Sequence, residues 1–254
     1  MNLKALTKKI LSCLLLFLPL LAPLPALAQG AEYPELNYDN VMHALYRLDK
    51  FKPEDDEQYM EGYAMAAQCD VVKGSYRDEF RWKQAKEAIK KWLHMEKKKF
   101  STRLAVKSRI MFDRYDFATK TFLFSESTQI RELNIFTTDP RTDGGEECNR
   151  PTVGLMPNSF RVVTNNPLTL PGLQLTEAQA QDLAQKFTYQ NNKYRIAYIR
   201  FVVEILDGDY LGPSMLAQAP KTGGDVWAVK GTLKAIEFYS DPEYRNRFYL
   251  YNPV

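Results

Sequence analysis

Hydrophobic positions along this chain follow first a helical period and then a strand period. Tyr38, Val41, Met42, Leu45 and Leu48 recur at helical spacing, with His43, Arg47 and Lys50 on the other side, which predicts a helix over about 39–50. Pro53 suits the first turn of a second helix, and Glu54, Asp55, Asp56 and Glu57 favour the positive end of its dipole. Met60, Tyr63, Ala64 and Ala67 form its apolar stripe. Gly74 and Ser75 break the pattern, and Ser75 with Asp78 resembles a capping arrangement. A third helix, about 76–98, carries its stripe on Trp82, Ala85, Ile89, Trp92 and Leu93.

After Phe100 the period falls to two. Leu104, Val106, Ser108, Ile110 and Phe112 alternate with Ala105, Lys107, Arg109 and Met111, the pattern of a half-buried strand. The chain turns at 114–117 and returns through 121–124, and further strands are expected at 130–137, 160–163, 194–206, 226–238 and 247–251. Asn166-Pro167 and Pro171-Gly172 read as linker punctuation. Thr176-Glu177-Ala178-Gln179 is a capping box with Leu175 as its staple, and Ala180, Leu183, Ala184 and Phe187 share one face of the helix it opens. Strands joined by hairpin-length turns do not alternate with helices as a parallel α/β sheet requires. The expected fold is therefore α+β. A segment of about three helices (29–100) packs with an antiparallel sheet of six or seven strands carrying one further helix (101–254). Residues 29–254 together form one domain.

Residues 1–28 have the composition of a secretory signal. Lys4, Lys8 and Lys9 precede the apolar run 10–21; Pro19, Pro23 and Pro25 break it, and Ala26-Leu27-Ala28 offers a cleavage site. A membrane span needs about 20 apolar residues. This run is shorter and proline-broken, so an uncleaved anchor is the weaker expectation. Cys13 lies too close to Lys9 for lipidation. With no other long apolar run, no stable membrane insertion is expected after cleavage, and the destination is the periplasm or the exterior. Loss of the three lysines leaves 31 basic against 31 acidic residues, so the formal charge of +3 vanishes. A neutral chain has no overall attraction to nucleic acid.

Export changes what the two remaining cysteines mean. Cys69 and Cys148 are expected to form a disulfide in an oxidising compartment, closing a loop of about 80 residues for roughly 4.5 kcal/mol. A reactive thiol at Cys69 is the alternative. Residues 49–70 hold two basic and seven acidic residues, whereas 75–100 hold nine basic and four acidic. Opposite charges on adjacent helices suggest mates in a hairpin. The other reading of Lys97, Lys98 and Lys99 is a patch for anionic lipid or polymer.

Motifs for catalysis are sparse. There is no Gly-x-Ser-x-Gly elbow and no glycine-rich phosphate loop. His43 and His94 are the only histidines, without metal-ligand spacing, so no metal, cofactor or catalytic residue is assigned. A hydrolase could pair Cys69 with a histidine, or use Glu204, Asp207 and Asp209 on a glycan or Ca²⁺. Asp207-Gly208-Asp209 is equally a tight turn. Tyr194, Tyr198, Tyr239, Tyr244, Phe248, Tyr249 and Tyr251 could form an exposed contact face or pack in the core.

Three stretches carry a resemblance: Tyr115-Asp116-Phe117 between two strands, Asn166-Pro167 through Pro171-Gly172 into Glu177-Ala178, and Lys234-Ala235-Ile236-Glu237-Phe238-Tyr239. Across about residues 100–245 the chain resembles a family of bacterial exported proteins classed as a domain of unknown function. The resemblance implies a Gram-negative envelope setting and brings no catalytic residues. The expected function is a non-enzymatic binding protein that engages a protein or envelope polymer through a sheet edge or an aromatic face. An envelope-directed hydrolase is the alternative.

Overall fold

The computed structural model describes residues 32–138, 157, 159–189, 193–208 and 226–253. Helix α1 (Tyr38–Arg47) starts where the Asn37 side chain accepts the Asn40 N–H, and it buries Val41, Met42 and Leu45. Pro53–Asp55 is a separate 3₁₀ turn. Asp56, not Pro53, opens α2 (Glu57–Ala67), because its carboxylate accepts the Gln58 and Tyr59 N–H groups. The expected break at Gly74 falls later. Helix α3 (Cys69–Ser75) runs through it, and α4 (Glu79–Glu96) begins at Asp78, which accepts the Phe80 and Arg81 N–H groups. Ser75 cannot serve as that cap, since its hydroxyl is spent on the Val71 carbonyl at 2.6 Å. The charge halves do meet, through Lys86–Glu57 and Lys97–Asp49 ion pairs.

Eight strands follow among the described residues: β1 (Arg103–Asp116), β2 (Thr121–Phe124), β3 (Ile130–Thr137), β4 (Ser159–Leu170), β5 (Gly172–Gln174), β6 (Ile196–Asp207), β7 (Val226–Tyr239) and β8 (Arg247–Tyr251). Helix α5 (Glu177–Tyr189) lies between β5 and β6. The fold is α+β. The sheet is mixed, ordered β3-β4-β7-β6-β1-β2-β5, with β8 also on β7. Six pairings are antiparallel, and β4 with β7 is parallel. Strand β4 extends well past the four residues expected. Pro167 is tolerated in it because pairing to β7 ends at Thr164, so the missing N–H costs no bond there.

The two ends of this strand order are neighbours in the chain. Residues 125–129 join β2 to β3, and Pro171 alone separates β4 from β5. The sheet must therefore curl until its ends meet. Gly172 is needed at that corner, since a Cβ there would sit 2.4 Å from the Phe122 carbonyl oxygen. One core fills the curl and continues under the helices. Phe112 packs on Phe187 of α5, and Tyr38 and Phe51 reach Phe160 and Trp227 of the sheet.

Candidate functional site

Of the expected site residues the structure describes Cys69, Lys97, Lys98, Lys99, Glu204 and Asp207. Glu204 bonds Arg103 at 3.1 Å and lies 3.5 Å from Lys234. Asp207 instead pairs with Lys50 at 2.9 Å, and that bond with the Gly208 N–H holds its carboxyl below the usual range. Each of the two acids thus has a cationic partner from a different part of the chain. Asp209 and Cys148 lie outside the described residues, and Cys69 is buried at the start of α3. Lys97 is committed to Asp49 at 2.7 Å and Lys99 to Glu96 at 2.7 Å, leaving Lys98 exposed beside them.

His43 is a packed ring. It stacks on Phe100 with centroids 4.3 Å apart, and its Nε2 shares a 2.9 Å hydrogen bond with the Tyr63 hydroxyl. Burial lowers its pKa to about 4, which makes it a weak general base at neutral pH. His94 is exposed on α4. Among the described residues no group of three or more His, Cys, Asp or Glu side chains could hold a metal ion. The aromatic run is not one exposed face. Tyr239 is buried, Tyr244 packs on Tyr198 and Tyr239, and Phe248 and Tyr249 pack on Phe238.

A different place has the properties of a site. β1 pairs with β6 from Arg103 to Met111 on one edge, and with β2 only from Phe112 on the other. At Met111 the second edge forks. The Ser125 N–H bonds the Met111 carbonyl at 2.7 Å, and the Thr128 hydroxyl accepts the Met111 N–H at 3.1 Å, after which β3 departs. At the far side, Ala105 takes up the edge again by bonding Pro34 and Leu36, both at 2.8 Å. Backbone groups alternate between edges along a strand. Since residues 105 and 111 both bond outward, the N–H and C=O groups of Lys107 and Arg109 point into the open fork.

A cleft of about 360 Å³ occupies this fork. Val106 of β1, Ile199 and Phe201 of β6, and Ile130, Leu133 and Phe136 of β3 supply its apolar walls. Phe136 and Phe201 lie 5.6 Å apart across it. Its rim is cationic, with Lys107, Arg109 and Arg131, and no carboxylate among the described residues lines it. Arg131 bonds Gln129 and lies 3.8 Å from the exposed Glu126. Lys107 and Arg109 have no carboxylate partner among the described residues; the Lys107 ammonium lies over the Tyr244 ring at 5.1 Å. Such a place can bind an extended, anionic, partly apolar ligand. The sequence held one sign of it, Ser108, a polar residue on an otherwise apolar strand face and exposed at the cleft.

Behind the fork, Glu237 of β7 is 4% exposed and accepts from Arg200 at 2.5 Å, Arg247 at 2.9 Å and the Tyr239 hydroxyl at 2.9 Å. Burial first, and then the bond to Glu237, raise the Tyr239 pKa. This network fixes the sheet face on which Tyr244 and then Lys107 rest.

A profile described as Domain of unknown function (DUF4852) matches residues 54–187. The match begins earlier than the resemblance over 100–245 and ends before Lys234–Tyr239; it includes β1, β2 and β3, hence most of the fork. No curated protein and no solved structure matches the chain. Because the match covers more than half of its length, the chain belongs to the Domain of unknown function (DUF4852) family.

Proposed function

We propose that the protein is an exported, non-enzymatic binding protein of the bacterial envelope, and that it takes an extended partner at the β1 fork. Export rests on the charged, apolar and small-residue regions of 1–28. In that compartment Cys69 pairs with Cys148, and intact mass with and without alkylation reads both the cleavage after Ala28 and the closed disulfide. No helix among the described residues is long and apolar enough to cross a membrane.

The observation that carries the binding function is the pair of outward-facing backbone positions, Lys107 and Arg109, which have no strand partner on that edge among the described residues and lie beside an apolar cleft. Strand edges left open are templates for another chain. Amide hydrogen exchange of the free protein tests this. Lys107 and Arg109 are expected to exchange at least tenfold faster than Val106, Ser108 and Ile110, whose amides face β6. Equal protection at all five positions would mean that the protein closes its own edge, and the proposal would fall.

A further inference from the structure

We infer that the partner is an acidic β-strand, a polypeptide segment in which carboxylate side chains alternate with apolar ones. This rests on the fork being a binding site, as proposed above, and adds the chemistry of what enters it. The backbone selects the class. Two outward N–H groups and two outward C=O groups at Lys107 and Arg109 call for acceptors and donors spaced as along a strand. An acyl chain offers neither and would leave four polar groups unsatisfied.

Side-chain alternation then sets the pattern. Residues of an added strand point alternately to its two faces. One set falls over the apolar walls made by Val106, Ile130 and Phe201. The other falls beside Lys107 and Arg109, whose side chains lie on the opposite face of β1 from Val106. Those two cations have no carboxylate of their own among the described residues, and Arg131 adds a third at the rim. Charge complementarity therefore asks for glutamate or aspartate in the second set.

The test uses the full chain and two blocked hexapeptides, alternating Glu-Val and alternating Lys-Val, titrated by calorimetry with exchange at Lys107 and Arg109 as a second readout. The Glu-Val peptide is expected to bind at least tenfold more tightly and to slow both amides. Charge reversal in Lys107→Glu/Arg109→Glu, at two exposed positions, is expected to invert the preference while leaving the melting temperature in place. N-methylation of alternate peptide amides is expected to abolish binding. Equal affinity for the two peptides would overturn the inference. So would binding of laurate or of phosphatidylglycerol vesicles at the fork with neither peptide bound, which would give the cleft to an amphiphile. Fast exchange at Lys107 and Arg109 with no peptide binding would sink this inference alone, whereas protected amides in the free protein would sink the binding site itself.

Discussion

Strands β1 and β7 are built alike and finished differently. Each is 14 residues long, each lies along β6, and each divides its other edge between two partners. On β7 those partners are β4 at 226–231 and β8 at 236–239. On β1 they are Glu35 at Ala105 and β2 from Phe112 onward. Charge separates the two. Lys234, between β7's partners, lies 3.5 Å from Glu204, and Glu237 gathers Arg200 and Arg247 into a buried network. Lys107 and Arg109, between β1's partners, meet no carboxylate among the described residues. The same layout gives β7 a spine of acid-paired cations and leaves β1 with cations that no acid meets among the described residues.

Breaking the spine is expected to have the largest effect. Glu237→Leu strands the Arg200 guanidinium, 6% exposed, without its counter-charge, and loss of one partner of a buried pair costs about 3–5 kcal/mol. Lys107→Ser, at an exposed position, is expected to stay within about 0.5 kcal/mol. Urea denaturation of both variants checks the contrast, and equal effects would erase it. A second measurement separates either strand from the helical layer. His43 titrates at about 4 in the fold and near 6.5 when unfolded. The unfolded chain therefore holds more protons between those values, so stability is complete above about pH 6.5 and is lost as pH falls toward 4. The loss is on the order of 3 kcal/mol. His43→Gln keeps a hydrogen-bonding side chain and should flatten that slope.

Local chemistry was legible in the sequence, and partner choice was not. The capping box at Thr176 reads directly, because both of its bonds, Thr176 N–H to Gln179 at 2.9 Å and Gln179 N–H to Thr176 at 3.3 Å, span three residues. The alternation of β1 and the limits of β2, β3 and β8 were equally visible. Pairing between β4 and β7 was hidden, since nothing in 159–164 specifies a parallel neighbour beyond residue 225. For the same reason Pro171-Gly172 read as a linker, although Gly172 begins β5. Glu204 and Asp207 suggested a site because they are close in sequence. Arg103 and Lys50, which neutralise them, come from remote stretches.

A smaller effect probes how tightly the spine is packed. A Cβ at Gly231 would lie 2.5 Å from Val162 Cγ1 and 3.1 Å from the Glu204 carbonyl oxygen. Gly231→Ala is expected to cost about 1–3 kcal/mol as the parallel β4–β7 pair is forced apart. Calorimetric melting reads that cost, and an unchanged midpoint would show that the pair yields freely.

The finest test is at the fork itself. The Thr128 hydroxyl accepts the Met111 N–H at 3.1 Å and can return a bond to the Met111 carbonyl at 3.3 Å, so a side chain stands in for the strand that would otherwise continue beside β1. Thr128→Val keeps the branched shape and removes the oxygen. It is expected to cost about 1 kcal/mol, the net worth of a hydrogen bond, and to make the Met111 amide exchange faster while Ile110, which faces β6, stays protected. The open edge would then begin at Met111 and lengthen from two outward-facing residues to three. If Met111 stays as slow as in the unaltered chain, the Ser125 bond alone sets where β1 parts from β3, and the fork's width is a property of the backbone turn, not of Thr128.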